Sequence, residues 1–128
     1  ALFSSAISLC RNFFDSELGA LSRQADRVDR ELPFLYLYED EQGPLYINGQ
    51  IDLAFQLRDR LYLVDFKTDR AYRPGEHECQ LAMYRLALAE QTEAQIDTFL
   101  FLLRSGRGVH CHRSIDPAEW IPRIRHLL

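Results

Sequence analysis

LYLVDFKTD, residues 61–69, is a strand-like run in which a carboxylate and an ammonium interrupt an otherwise apolar stretch. Lys67 is the only lysine among fifteen basic side chains, the rest being arginine. A composition that uses arginine elsewhere and keeps one lysine here points to a need for a compact, pKa-tunable ammonium. Residues i and i+2 of a strand share a face, so Asp65 and Lys67 should project together while Val64 and Phe66 point the other way. The preceding run, LYINGQIDLAF at 45–55, carries another embedded carboxylate, Asp52. Pairing of the two runs would bring both aspartates and the lysine into one pocket.

Working outward, the polar tripeptide RDR at 58–60 joins these runs. EDEQGP at 39–44 carries turn chemistry behind the aromatic-rich run LPFLYLYED at 32–40. Such short connections imply an antiparallel three-strand meander. Upstream, SSAISLCRNFFDSELGAL at 4–21 places Ile7, Cys10, Phe13, Phe14 and Leu18 at helical spacing, with Ser4 or Ser5 as N-cap and Gly19 as a local stop. The charged residues from Arg23 to Glu31 then lead into the first strand.

Downstream, AYRPGE at 71–76 breaks the strand pattern, and HECQLAMYRLALAEQ at 77–91 predicts a helix with one broad apolar face. IDTFLFLL at 96–103 reads as a buried strand, although its Phe101–Leu103 end would equally suit a face covered by another part of a larger protein. SGRG turns the chain into VHCHRS, and DPAEWIPRIRHLL at 116–128 forms a last helix with Asp116 as N-cap and Pro117 at the first helical position. The order is αβββαββα, an α/β (α+β) fold with a central mixed sheet flanked by helices.

A chain of 128 residues with 47% hydrophobic content supports one core, so residues 1–128 read as a single domain. The formal charge of -4 and pI near 5.5 exclude a binder driven by whole-domain basicity, and any nucleic-acid contact must be local. Arg58, Arg60, Arg70, Arg73, Arg104 and Arg107 lie around the predicted strand ends; they could form a patch or be solvated turn residues. Cys10, Cys79 and Cys111 lack CxxC spacing and read as reduced thiols of a cytoplasmic protein. No apolar stretch approaches the roughly 18 residues that span a bilayer, so no membrane partner is expected. The chain starts at Ala1 and has one methionine, Met83, which suggests a piece of a longer protein.

Metal-assisted phosphodiester cleavage needs oxygen ligands, a polarised water and a cation near the developing charge. Asp52 and Asp65 supply the ligands, the backbone carbonyl of Phe66 between Asp65 and Lys67 can complete them, and Lys67 supplies the cation. Taken singly, Asp65 with Lys67 reads as an ordinary ion pair and Asp52 as a solvent-facing residue. Together the three charges interrupt two strongly apolar strands, where unpaired burial is expensive.

The succession RELPF, GQIDL, LVDFKTDR and QLAMY resembles the RecB-like branch of the PD-(D/E)XK nuclease superfamily, as at the C-terminus of AddA-type, UvrD-like helicase-nucleases. The resemblance is strong over roughly residues 30 to 90 and lies in pattern only on the flanks. It implies a restriction-endonuclease-like core and a Mg2+- or Mn2+-dependent DNA exonuclease of recombination and repair. Asp52 and Asp65 match the metal-binding aspartates and Lys67 the catalytic lysine. Gln80 and Tyr84 match the QxxxY motif that supports the active site and the DNA strand, and Glu31 the glutamate of the ExPF strand; Arg70 follows the lysine as a DNA-contacting candidate.

The family usually places a histidine ligand on a helix upstream of the sheet. Here His77, His110, His112 and His126 all follow Lys67, so either the chain starts after that helix or the site lacks it, and metal binding weaker than in a complete site is expected. His110 and His112 share a strand face, a pattern that suits a metal pair or a surface accident. Three unclustered cysteines do not match the iron-sulfur cluster of AddB-type relatives, so none is expected. No GxxxxGK[ST] loop occurs, and ATP would be used only in a helicase portion outside this sequence. The implied partners are DNA as single strands or ends, the helicase portion and a second subunit. Competing readings are a catalytically inert nuclease-like domain that serves as a DNA-binding or structural element of a helicase, a stand-alone Cas4-like or restriction-type nuclease, and a non-enzymatic interaction module.

Overall fold

The computed structural model describes residues 2–68, 78–112 and 116–127. Its elements are α1 (Leu2–Phe14), α2 (Glu17–Arg23), β1 (Arg27–Asp40), β2 (Gly43–Leu57), β3 (Arg60–Lys67), α3 (Glu78–Ala89), β4 (Gln95–Leu102), β5 (Arg107–Cys111) and α4 (Pro117–Leu127). The strands form one sheet in the order β1-β2-β3-β4-β5. β1, β2 and β3 make the expected antiparallel meander. A two-residue turn cannot reverse the chain into a parallel partner, and accordingly α3 lies in the connection from β3 to the parallel strand β4. β5 returns antiparallel to β4.

Alternation along the strands loads both faces of the sheet. Leu63, Leu100, Ile51 and Ala54 pack with Leu81, Ala82, Met83, Tyr84 and Ala87 of α3 and Ile121 of α4. On the other face Leu53, Phe55, Val64 and Phe101 pack with Phe13 of α1 and with Leu18 and Leu21 of α2. The layers are therefore helix, sheet, helix. Phe101 is completely buried, so this end of β4 is core of the domain itself.

Three expectations need correction. The first helix is two helices, because Asp15 and Ser16 break it. The Ser16 hydroxyl donates to the Phe13 carbonyl at 2.6 Å and accepts from the Gly19 amide at 3.1 Å, capping α2. Gly19 is not the stop but lies buried within α2, where an added Cβ would fall 2.1 Å from the Phe13 carbonyl oxygen. Second, β1 starts at Arg27, because the charged stretch pairs with β2 from Arg27↔Gln56 onward. Third, the arginines do not form one patch. Arg58 and Arg60 lie at the β2–β3 turn, and Arg104 and Arg107 at the β4–β5 turn, the opposite end of β3 and β4. Arg70, Arg73 and His77 lie outside the described residues.

Candidate active site

The β2–β3 ladder ends at Leu53↔Val64, one step before Asp52 and Asp65 would pair, so the strands part there. β3 continues beside β4 to Lys67↔Leu102, while β2 continues beside β1 through Ile51↔Leu32. The cause is visible on β2. Ile51 packs into the α3 side, whereas Leu53 and Phe55 pack into the α1 and α2 side, so the strand changes face at Asp52. Opposite Asp52, between the pairs Arg30↔Leu53 and Leu32↔Ile51, stands Glu31 with φ 52, a conformation that L-residues seldom adopt.

Asp52 closes the fork. Its Oδ2 accepts the Phe66 amide at 2.9 Å, replacing the lost ladder bond. In an extended strand the N–H and C=O of one residue point to the same edge, so the Phe66 carbonyl faces the fork as well. Asp65 and Lys67 share the face of β3 that packs under α3, as their spacing predicts, and the Lys67 ammonium lies 3.1 Å from Asp65 Oδ2. These side chains are 8% (Asp65) and 23% (Lys67) exposed, so this is a largely buried ion pair rather than a solvated one.

Electrostatics here are frustrated. Burial pushes the Asp65 carboxyl up to about 6, contact with Asp52 adds to the rise, and Lys67 pulls it back only in part. Apart from the Lys67 ammonium, Asp65 Oδ2 is shielded and has no hydrogen-bond partner among the described residues. Two close carboxylates and a carbonyl aimed at the same fork suit a hard divalent cation, which accepts such oxygens and completes its shell with water and substrate phosphate. Asp52, Asp65 and the Phe66 carbonyl therefore fit that group.

Gln80 and Tyr84 fall one turn apart on α3, and the Gln80 amide donates to the Tyr84 hydroxyl. Tyr84 is 2% exposed, so it serves the core as well as the site. Burial, then the charges of Asp65 and Asp52, push its phenol up to about 12, placing the ring beside the carboxylates. Sequence reasoning missed what holds that ring. Phe34 meets Tyr84 edge-on at 4.5 Å, and its own ring lies over Gly49, where an added Cβ would fall 2.4 Å from it. The available signal was a glycine inside the β-pattern of 45–55, which marks a close approach.

Glu31 faces Asp52 in register, but its side chain is exposed and its carbonyl accepts from Gln50 at 3.1 Å. Arg70 lies outside the described residues. His110 is not brought to the site; it stacks on Phe99 at 4.6 Å, on the α1 and α2 side, and its Nε2 lies 3.4 Å from Asp97. His112 stands beside it, with ring centroids 3.9 Å apart. Among the described residues no group of three or more His, Cys, Asp or Glu side chains is placed to hold a metal.

The PD-(D/E)XK nuclease superfamily model matches residues 8–123. An ATP-dependent helicase/nuclease of Streptococcus thermophilus is 36% identical over 99 residues, covering 71% of this chain and 8% of that protein. The protein of the same name from Bacillus licheniformis is 36% identical over 120 residues, 77% of this chain and 9% of its own length. That of Alkaliphilus oremlandii is 32% identical over 115 residues, with 77% and 10% covered. The chain thus spans about a tenth of the length of these relatives. Among solved structures, SSO0001 superposes with a TM-score of 0.60 at 14% identity, covering 95% of this chain and 58% of that one. A candidate exonuclease from Eubacterium rectale gives 0.52 at 13%, covering 98% and 49%. At such identities these two share the fold.

Proposed function

This chain belongs to the PD-(D/E)XK nuclease superfamily, and on that premise we propose that it is a Mg2+- or Mn2+-dependent DNA exonuclease domain of a cytoplasmic helicase-nuclease. The observation that carries the reading is the fork, where Asp52, Asp65, the Phe66 carbonyl and Lys67 converge and the shielded Asp65 Oδ2 meets only the Lys67 ammonium among the described residues. The partners are then DNA single strands or ends, the helicase portion of a longer chain and a second subunit, in recombinational repair. ATP belongs to that helicase portion.

A divalent cation held by Asp52, Asp65 and the Phe66 carbonyl supplies neutralising charge and Lewis acidity. Hydrolysis adds water across the ester: the water oxygen bonds phosphorus, the bond to the leaving sugar oxygen breaks, one water proton passes to solvent, and the leaving oxygen takes a proton. Lys67 Nζ orients the water and stabilises the phosphate charge that grows during attack. Gln80, exposed on α3, meets the strand, the buried Tyr84 holds Gln80 from the core side, and Glu31 stands across from Asp52; Arg70 is a DNA-contacting candidate from the motif alone.

The test is degradation of end-labelled single-stranded DNA with Mg2+ or Mn2+, with Lys67→Ala as control. Cleavage lost in the control supports the reading. Silence of this chain and of a longer one carrying an upstream histidine helix overturns it in favour of an inert nuclease-like domain.

A further inference from the structure

Asp65, Phe66 and Lys67 hang from the sheet on one side. The β2 ladder has ended at Leu53↔Val64, so these three residues are paired to β4 alone, and Lys67↔Leu102 is the last pair. The turn after β4 carries the tie further. The Leu103 amide donates to the Lys67 carbonyl at 2.9 Å, and Arg104 Nε donates to the Thr68 carbonyl at 2.5 Å. Beside the ion pair with Asp65 and the Asp52 bond to the Phe66 amide, the placement of this lysine therefore depends on that turn.

What fixes the turn is α1. Asn12 Nδ2 donates to the Leu103 carbonyl at 2.7 Å and to the Arg104 carbonyl at 3.4 Å. Gly106, with φ 68, lies beside Asn12, where an added Cβ would be in ordinary contact with Asn12 Cβ at 3.6 Å. The next residue, Phe13, meets Phe66 edge-on at 5.0 Å and Phe101 at 5.1 Å. One dipeptide of α1 therefore grips the turn behind Lys67 and the ring of the residue between Asp65 and Lys67.

We propose that Asn12 and Phe13 are positioning residues that set Lys67 in the nuclease site, Asn12 acting through the β4–β5 turn and Phe13 through Phe66. The inference rests on the function proposed above. Neither residue touches the reacting atoms, so their effect is on placement. A displacement of about 1 Å costs up to about a hundredfold in rate.

Lys67 is the chain's single lysine, which makes it its own reporter. The experiment compares the unsubstituted chain with Asn12→Ala and with Asn12→Asp, which keeps the shape but removes the donor. The first readout is the acylation rate of Lys67 in metal-free protein by an amine-reactive ester, followed at the peptide level by mass spectrometry. The second is cleavage, with kcat and KM separated. Expected are several-fold faster acylation in both variants and kcat lower by about tenfold or more at unchanged KM. Unchanged acylation in both, or a rate loss no larger than the fraction unfolded in thermal melts, overturns the proposal. Where the unsubstituted chain cleaves no DNA, the nuclease reading is what fails, and the acylation ratio decides the positioning role by itself.

Discussion

Asp65 carries the largest electrostatic cost at the site, and that cost has a direction. Its ordinary value is 3.8 and the fold raises it to about 6. Between those values the folded chain holds more of this proton than the unfolded chain, so its contribution to stability falls as pH rises through the window and stays lost above it. The shift corresponds to at most about 3 kcal/mol. In EDTA, Asp65→Asn should therefore raise the melting temperature at pH 7.5, and the gain should vanish near pH 4; a lower melting temperature at pH 7.5 would contradict the frustrated pair. Mg2+ should raise the melting temperature of the unsubstituted chain, by about 2.7 kcal/mol of stability at a hundredfold excess over Kd, and leave Asp65→Asn unmoved. Lys67→Ala should lose cleavage by about 10²- to 10⁴-fold while DNA affinity in Ca2+ stays the same, as read by fluorescence anisotropy. Equal losses of both would remove the lysine from the chemistry.

Among the elements, the long β1–β2 hairpin decides how Tyr84 reaches the carboxylates. Phe34 fills the space over Gly49 and supports the tyrosine ring, so within the wider packing of the hairpin on α3 this aromatic contact is the one that holds Tyr84. Gly49→Ala should push the Phe34 ring off Tyr84, costing about 1–3 kcal/mol by overpacking, with a thermal melt to read it. An unchanged melt would mean the ring moves at no cost. The strands themselves were legible because 45–55 alternates and 61–67 is an apolar run behind a polar turn, and because a carboxylate or ammonium inside such a run has few explanations. The helix break at Ser16 was hidden, since Leu18 continues the apolar spacing of Phe14 and a mid-pattern serine looks like a surface residue. The face change at Asp52 stands opposite the positive φ of Glu31, and no property of either side chain announces it. Asn12 was equally silent: its acceptors are 91 and 92 residues away, a separation that no local pattern encodes.

For the molecule as a whole, charge sets how DNA can approach. A formal charge of -4 repels a polyanion, and the exposed arginines of the two turns stand at opposite ends of β3 and β4. The Lys67 end of β3 adjoins the turn that bears Arg104 and Arg107, whereas Arg58 lies at the far end. A strand entering the fork would meet the first pair and miss the last, so the proposed site has a local basic rim on an acidic body. Single-stranded DNA affinity in Ca2+ should then weaken on Arg107→Ala, and the slope of log K against log salt should shrink by about 0.7 for the one phosphate contact removed. Arg58→Asn should change neither affinity nor slope. A comparable loss from both substitutions would mean that the strand crosses the sheet along its length, and the fork would no longer define the DNA path.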